Sequence, residues 1–124
     1  MRQENIQYFS EKEEEFANLL VSLGTKKTIA TVLVFLAGTP EATSRSIERG
    51  ADMRQPEISL ATKELIDKGW ITSREIPSES KGRPTKVYEL AKPIDAIMKS
   101  IETEQKEAMN HQLALLKKLK EFSR

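Results

Sequence analysis

Cysteine is absent from the 124 residues. Disulfides, thiolate metal sites and cysteine nucleophiles are therefore excluded, and a reducing compartment fits. Long apolar runs are missing too. The longest, Ile29 to Ala37, falls well short of the roughly 18 residues that a membrane-spanning helix needs. The opening Met-Arg-Gln-Glu-Asn lacks the basic-then-apolar order of a secretory signal, so a cytoplasmic location is expected. Histidine is represented only by His111, and no phosphate-binding glycine loop, nucleophile elbow or metal-ligand cluster is present. Catalysis, a cofactor and a metal are accordingly not expected.

An excess of either charge is also lacking. Twenty basic and 19 acidic residues leave a formal net charge of +1. A strongly basic chain would signal nucleic-acid binding by its global field alone, and this one does not. Any such surface must arise from local arrangement. Residues 39–91 hold nine basic and nine acidic residues, whereas residues 92–124 hold seven and five. A hydrophobic content of 38% with 31% charged residues supports a modest core.

Ser10-Glu11-Lys12-Glu13 reads as a capping box, followed by a helix to about Leu23 with Phe16, Leu19, Leu20 and Leu23 on one face. Gly24 ends it and Thr25 is expected to cap the next helix. That helix is apolar nearly all round from Ile29 to Ala37 and must be buried on more than one side. After Gly38, Thr39-Pro40 and Thr43-Ser44 offer two possible starts for a short helix, about Ser44 to Arg49, anchored by Ile47. Gly50 is expected in a left-handed turn. Pro56 opens a helix of about thirteen residues, with Ile58, Ala61, Thr62, Leu65 and Ile66 on its core face and Gly69 at its end. A short helix, a tight turn and a second helix form the helix-turn-helix layout.

Trp70 to Ile76 and Thr85 to Leu90 read as strands around the polar segment 77–84. They make a β-hairpin after the second helix of the motif, a wing. Val87 and Glu89 share one face of the second strand, and Tyr88 and Leu90 the other. From Pro93 a single helix of about 30 residues, about 45 Å, is expected. Ile94, Met98, Ile101, Gln105, Ala108, Gln112, Leu115, Leu119 and Phe122 follow a heptad seam within it. The seam suggests a homodimer contact; the alternative is a helix packing back on its own domain. The expected organisation is an N-terminal helix (1–24), a winged helix domain (25–91) and a C-terminal dimerisation helix (92–124). The fold class is mainly α with a small β-hairpin: a winged helix-turn-helix with long N- and C-terminal helices.

In such a fold the second helix of the motif enters the DNA major groove. With Ile58, Thr62 and Leu65 turned inward, Arg54, Gln55, Glu57, Ser59, Leu60 and Lys63 face outward. Arginine can grip guanine and glutamine adenine, each through two hydrogen bonds. Glu57 can accept from a cytosine amine, and Ser59 can bond a base or a phosphate. Leu60 either meets a thymine methyl or packs against the preceding helix. In the wing, Lys81-Gly82-Arg83-Pro84-Thr85-Lys86 places three basic residues within six positions. Arg83 suits a narrow minor groove, and Lys81 and Lys86 suit phosphates, although a charged hairpin tip is also common in proteins of other function. Arg45 and Arg49 on the first helix of the motif are candidates for phosphate contact, with Lys26 and Lys27 weaker ones; Arg74 can serve the wing. The partner expected is double-stranded DNA. A winged-helix module for protein–protein contact is the alternative.

The stretch Arg54-Gln55-Pro56-Glu57-Ile58-Ser59 with Leu65 resembles the Ser-Gln-Pro-x-Val-Ser recognition-helix signature of ArsR-type winged-helix repressors. Glu64-Leu65-Ile66-Asp67-Lys68-Gly69-Trp70-Ile71 is similar to the segment leading to the wing in that family. Lys81-Gly82-Arg83-Pro84 with Val87-Tyr88-Glu89-Leu90 looks like the wing of archaeal ArsR-like regulators, among them a euryarchaeal group of which some members act at archaellum gene promoters. The likeness covers roughly residues 39–91. It implies a winged helix whose long helices form a dimer and a role in transcription regulation. ArsR metal sensors use cysteine or histidine clusters; this chain has none, so metal sensing does not carry over. Thr62 stands where the signature has a large apolar residue.

Overall fold

The structure is a computed structural model and describes residues 9–77 and 84–123. They divide into two compact units, with the boundary in the chain between Lys92 and Pro93. The first contains α1 (Glu11–Ser22), α2 (Lys27–Gly38), β1 (Ala42–Thr43), α3 (Ser44–Gly50), α4 (Gln55–Asp67), β2 (Ile71–Ile76) and β3 (Thr85–Leu90). The second is the helix α5 (Ile94–Glu121). No helix among the described residues is long and apolar enough to cross a membrane.

α2 is the centre of the first unit. All residues from Ile29 to Leu36 are buried, as its all-round apolar sequence requires. α1 and α4 both pack on it. α1 begins at the expected capping box: Glu13 N donates to Ser10 Oγ at 3.2 Å, and Ser10 N donates to Glu13 Oε1 at 2.8 Å. Its inward face differs from the one expected. Ala17 and Leu20 are buried, whereas Leu19 and Leu23 are exposed. The small Ala17 lets α1 approach α2 along a face about one position away from the leucine stripe.

Two further expectations are corrected at turns. The N-cap of α2 is Lys26, not Thr25, and no side-chain hydrogen bond caps this end. The left-handed residue between α3 and α4 is Asp52 (φ 53), not Gly50, which is the last, buried residue of α3. Aspartate is among the few non-glycine residues that tolerate this conformation. Gly50 instead accepts from Phe9 N at 3.0 Å, and Phe9 stacks on Phe35 with ring centroids 6.4 Å apart.

α3 is capped by Thr43, whose Oγ1 accepts from Ser46 N at 3.1 Å, and is anchored by the buried Ile47. α4 buries Ile58, Ala61, Thr62 and Leu65 on the expected face, but Ile66 lies outside it and is exposed. Thr62 is accommodated there because its hydroxyl donates to Ile58 O at 2.8 Å and Ser59 O at 3.1 Å, leaving its methyl for the core.

The hairpin β2–β3 has the register Ile71↔Leu90 to Ile76↔Thr85. A third strand was not foreseen: β1 pairs antiparallel with β3, giving the order β1-β3-β2. Two residues leave no periodicity to detect. β3 is thereby central, which explains why Val87 and Tyr88, on opposite faces, are both buried. Arg74 of β2 ties the sheet to its flank, with Nη2 2.8 Å from Glu41 Oε2 and Nε 3.4 Å from Glu89 Oε1. The wing tip, including Lys81 and Arg83, lies outside the described residues.

In α5, Ile101 is buried, Ile94, Met98 and Gln105 are half-buried, and the helix is apolar but exposed further on. Leu115, Leu119 and Phe122 of the expected seam are each more than half exposed, as are Met109, Leu113 and Leu116 beside them.

One packing flaw is instructive. Thr39 Oγ1, after the end of α2, is buried and has no hydrogen-bond partner among the described residues. Replacing an unpartnered buried hydroxyl by a methyl of the same shape removes a desolvation cost. Thr39→Val should raise stability by about 1 kcal/mol, read from the urea midpoint; a loss of that size would show that the hydroxyl is satisfied.

Candidate nucleic-acid interface

α4 presents one face to the core and the other to solvent, and the solvent face carries the expected set. Arg54, Gln55, Glu57, Ser59, Leu60 and Lys63 are all exposed. The apolar spacing of Ile58, Ala61, Thr62 and Leu65 enforces this, since α2 holds that stripe. Leu60 is 72% exposed, so the alternative that it packs against the preceding helix is overturned.

Two of these residues are engaged within the protein. Glu57 Oε1 accepts from Arg54 N at 3.0 Å and so secures the first turn of α4. Gln55 Nε2 donates to Glu48 Oε1 of α3 at 3.2 Å. That contact ties the first turn of α4 to α3. For Glu57 a helix-capping role accounts for the observed contact.

The structure brings Ser59, Lys63 and Lys86 together. They line one recess of about 260 Å³ between α4 and the hairpin, with Ser73 and Tyr88 on the sheet side. Sequence reading had selected the first three separately; Ser73 and Tyr88 were missed. Their signal is the pleat: Lys86 and Tyr88 lie two apart on one face of β3, and the register sets Ser73 opposite Tyr88. Neither Lys63 nor Lys86 has an ion-pair partner among the described residues. The other basic candidates are placed differently. Arg74 is held by two carboxylates, and Lys26 Nζ lies 3.8 Å from Glu64 Oε1. Arg49 and Lys27 line a separate recess of about 660 Å³ with Phe9 and Asp52. Arg45 is exposed on α3.

With this geometry in view, the solved structures it resembles are informative. A possible transcriptional regulator from Methanosarcina mazei Go1 superposes with a TM-score of 0.62 at 13% identity, covering 86% of each chain. A MarR-family transcriptional regulator from Silicibacter pomeroyi gives 0.51 at 15% identity, covering 89% of this chain and 78% of its own. A transcriptional regulator homologue from Pyrococcus horikoshii OT3 gives 0.51 at 15% identity, covering 82% and 97%. At these identities the likeness establishes the fold: a mainly helical winged helix-turn-helix with a small antiparallel sheet and a long C-terminal helix. No protein-family model matches the chain. No curated protein matches it either.

If Glu57 serves mainly to cap α4, Glu57→Ala should cost about 1 kcal/mol, whereas Glu57→Gln, which keeps the acceptor oxygen, should stay within about 0.5 kcal/mol. Chemical denaturation of the two variants checks this. Equal losses would remove the capping role.

Proposed function

We propose that this protein is a sequence-specific double-stranded DNA-binding transcription regulator, with α4 in the major groove and the wing on the backbone or minor groove. The observation that carries the reading is the shared recess. It sets Lys63 and Lys86, which have no ion-pair partner among the described residues, beside an α4 face whose polar residues are turned outward by the core. Arg54 and Gln55 at the start of α4 read base edges, Leu60 meets a thymine methyl, and Ser59, Lys63, Lys86 and Arg45 hold the backbone. Lys81 and Arg83 of the wing tip add phosphate and minor-groove contacts. The regulators that share the fold support the same reading. Within that class, residues 54–59 and the wing sequence favour an archaeal ArsR-like regulator.

Selection of bound duplexes from a random pool should return a defined site. Arg54→Ala and Gln55→Ala should relax preference at single positions, by about 1–3 kcal/mol of discrimination each. Lys81→Ala and Arg83→Ala should weaken all sequences alike. An unselected pool after repeated rounds would contradict the reading. A second reading, a protein-binding module, is favoured by the exposed Leu60 and Ile66 and by the equal charges of residues 39–91. It predicts no duplex retention at low salt.

The protein further acts as a homodimer through α5. Met109, Leu113, Leu115, Leu116, Leu119 and Phe122 form an exposed apolar face of a kind that marks an interaction surface. The occupant is a second copy, because Glu102, Glu104 and Glu107 precede Lys117, Lys118 and Lys120 along the helix. An antiparallel pair of these helices sets unlike charges against each other. The half-buried Ile94 and Met98 and the exposed Ala108 continue the seam toward Ile101, which is already buried within the chain. Leu115→Glu with Leu119→Glu should give a monomer in sedimentation at micromolar concentration and cut affinity for a two-half-site duplex. A wild-type monomer would end the dimer proposal.

A further inference from the structure

Tyr88 is only 6% exposed, yet it forms part of the wall of the open recess between α4 and the hairpin. Its hydroxyl takes part in no side-chain hydrogen bond among the described residues and, unlike Thr39 Oγ1, is not closed off from solvent, so it is free to donate into the recess. Ser59, Ser73, Lys63 and Lys86 line the same recess, and neither lysine has a carboxylate within 4.0 Å among the described residues. Two cationic side chains and the hydroxyl-bearing Ser59, Ser73 and Tyr88 thus line this recess against the single carboxylate of Asp67 among the described residues. We infer that the recess seats one phosphodiester of the DNA backbone, with Tyr88 Oη donating to a phosphate oxygen between Lys63 and Lys86. This inference rests on the DNA-binding reading and assigns a particular contact within it.

Dimensions favour a backbone phosphate over a base. Gln55 and Lys63 are eight residues apart on α4, about 12 Å along the axis. The major groove of B-form DNA is about 12 Å wide. When the first turn of α4 lies at the base edges, the Lys63 turn reaches the sugar–phosphate wall. A recess of about 260 Å³ admits a phosphate with its flanking sugar atoms. Asp67 also lines the recess, one helical turn beyond Lys63, and forms no ion pair with it within 4.0 Å. Its carboxylate repels a phosphate and lowers affinity.

The test is duplex binding by fluorescence anisotropy across a salt series. Tyr88→Phe keeps the packed ring, which thermal unfolding verifies, and should weaken binding about tenfold. The loss should be the same for preferred and scrambled duplexes, because a phosphate contact carries no sequence information. Lys63→Met and Lys86→Met should each lower the slope of log affinity against log salt by about one. Asp67→Asn should strengthen binding two- to threefold, roughly the worth of a weak exposed charge interaction. One methylphosphonate placed at successive positions should weaken the wild type at a single phosphate and leave Tyr88→Phe indifferent there. If the wild type binds a selected duplex but Tyr88→Phe and Lys86→Met keep its affinity and salt slope, the inference falls and the DNA-binding reading stands. If millimolar inorganic phosphate stabilises the wild type but not Tyr88→Phe while duplex affinity is equal in both, the recess takes a free oxyanion and the inference is overturned. A wild type that binds no duplex removes the reading itself.

Discussion

The fold depends on burying α2 on every side. Eight consecutive residues, Ile29 to Leu36, leave no face for solvent. An apolar helix of this kind must be wrapped, and in a chain this short the wrapping elements are α1 and α4. Each then has one face committed to α2. For α4 that commitment fixes Ile58, Ala61, Thr62 and Leu65 inward, so Arg54, Gln55, Ser59, Leu60 and Lys63 are forced outward by the period of the helix. The candidate interface is thus a consequence of core packing.

The sheet completes the surface. β1 contributes only two residues, but pairing with β3 makes that strand central and buries Tyr88 against the rest of the unit. Lys86, two residues earlier, stays at the exposed end of the same face. A buried phenol beside an exposed ammonium group across from Lys63 gives the recess both rigidity and charge. Arg74, clasped by Glu41 and Glu89, contributes to holding the hairpin and has its charge spent within the protein. Electrostatic character here is local: the net charge of +1 describes the chain, whereas the recess holds Lys63 and Lys86, without ion-pair partners among the described residues, against the one carboxylate of Asp67.

The elements that were legible in the sequence share one property, a long periodic signal. The inward stripe of α4, the alternation in β3 and the apolar run of α2 all repeat often enough to be read. What was not legible is where a single residue decides. Leu19 and Leu23 follow helical spacing as well as Leu20 does, yet α1 meets α2 through Ala17, and that choice depends on a partner surface that periodicity does not contain. Asp52 rather than Gly50 takes the left-handed turn because α3 continues one residue further than its polar sequence suggests. Thr62 looks like a weakness in the core until its hydroxyl is seen to bond its own helix. Within the interface, the residues on α4 followed from one helix, whereas Ser73 and Tyr88 needed the strand register before they could be placed beside Lys63.

The central claim is that duplex DNA lies along the outward face of α4 and the adjoining recess. Titrating isotopically labelled protein with duplex at low salt, and following backbone and side-chain NMR shifts, tests this most directly. The account predicts that the largest changes fall on Arg54, Gln55, Ser59 to Lys63, Ser73, Lys86 and Tyr88, and that raising the salt reverses them. Changes confined to α1 or to the apolar face of α5, or none anywhere along α4, would contradict it.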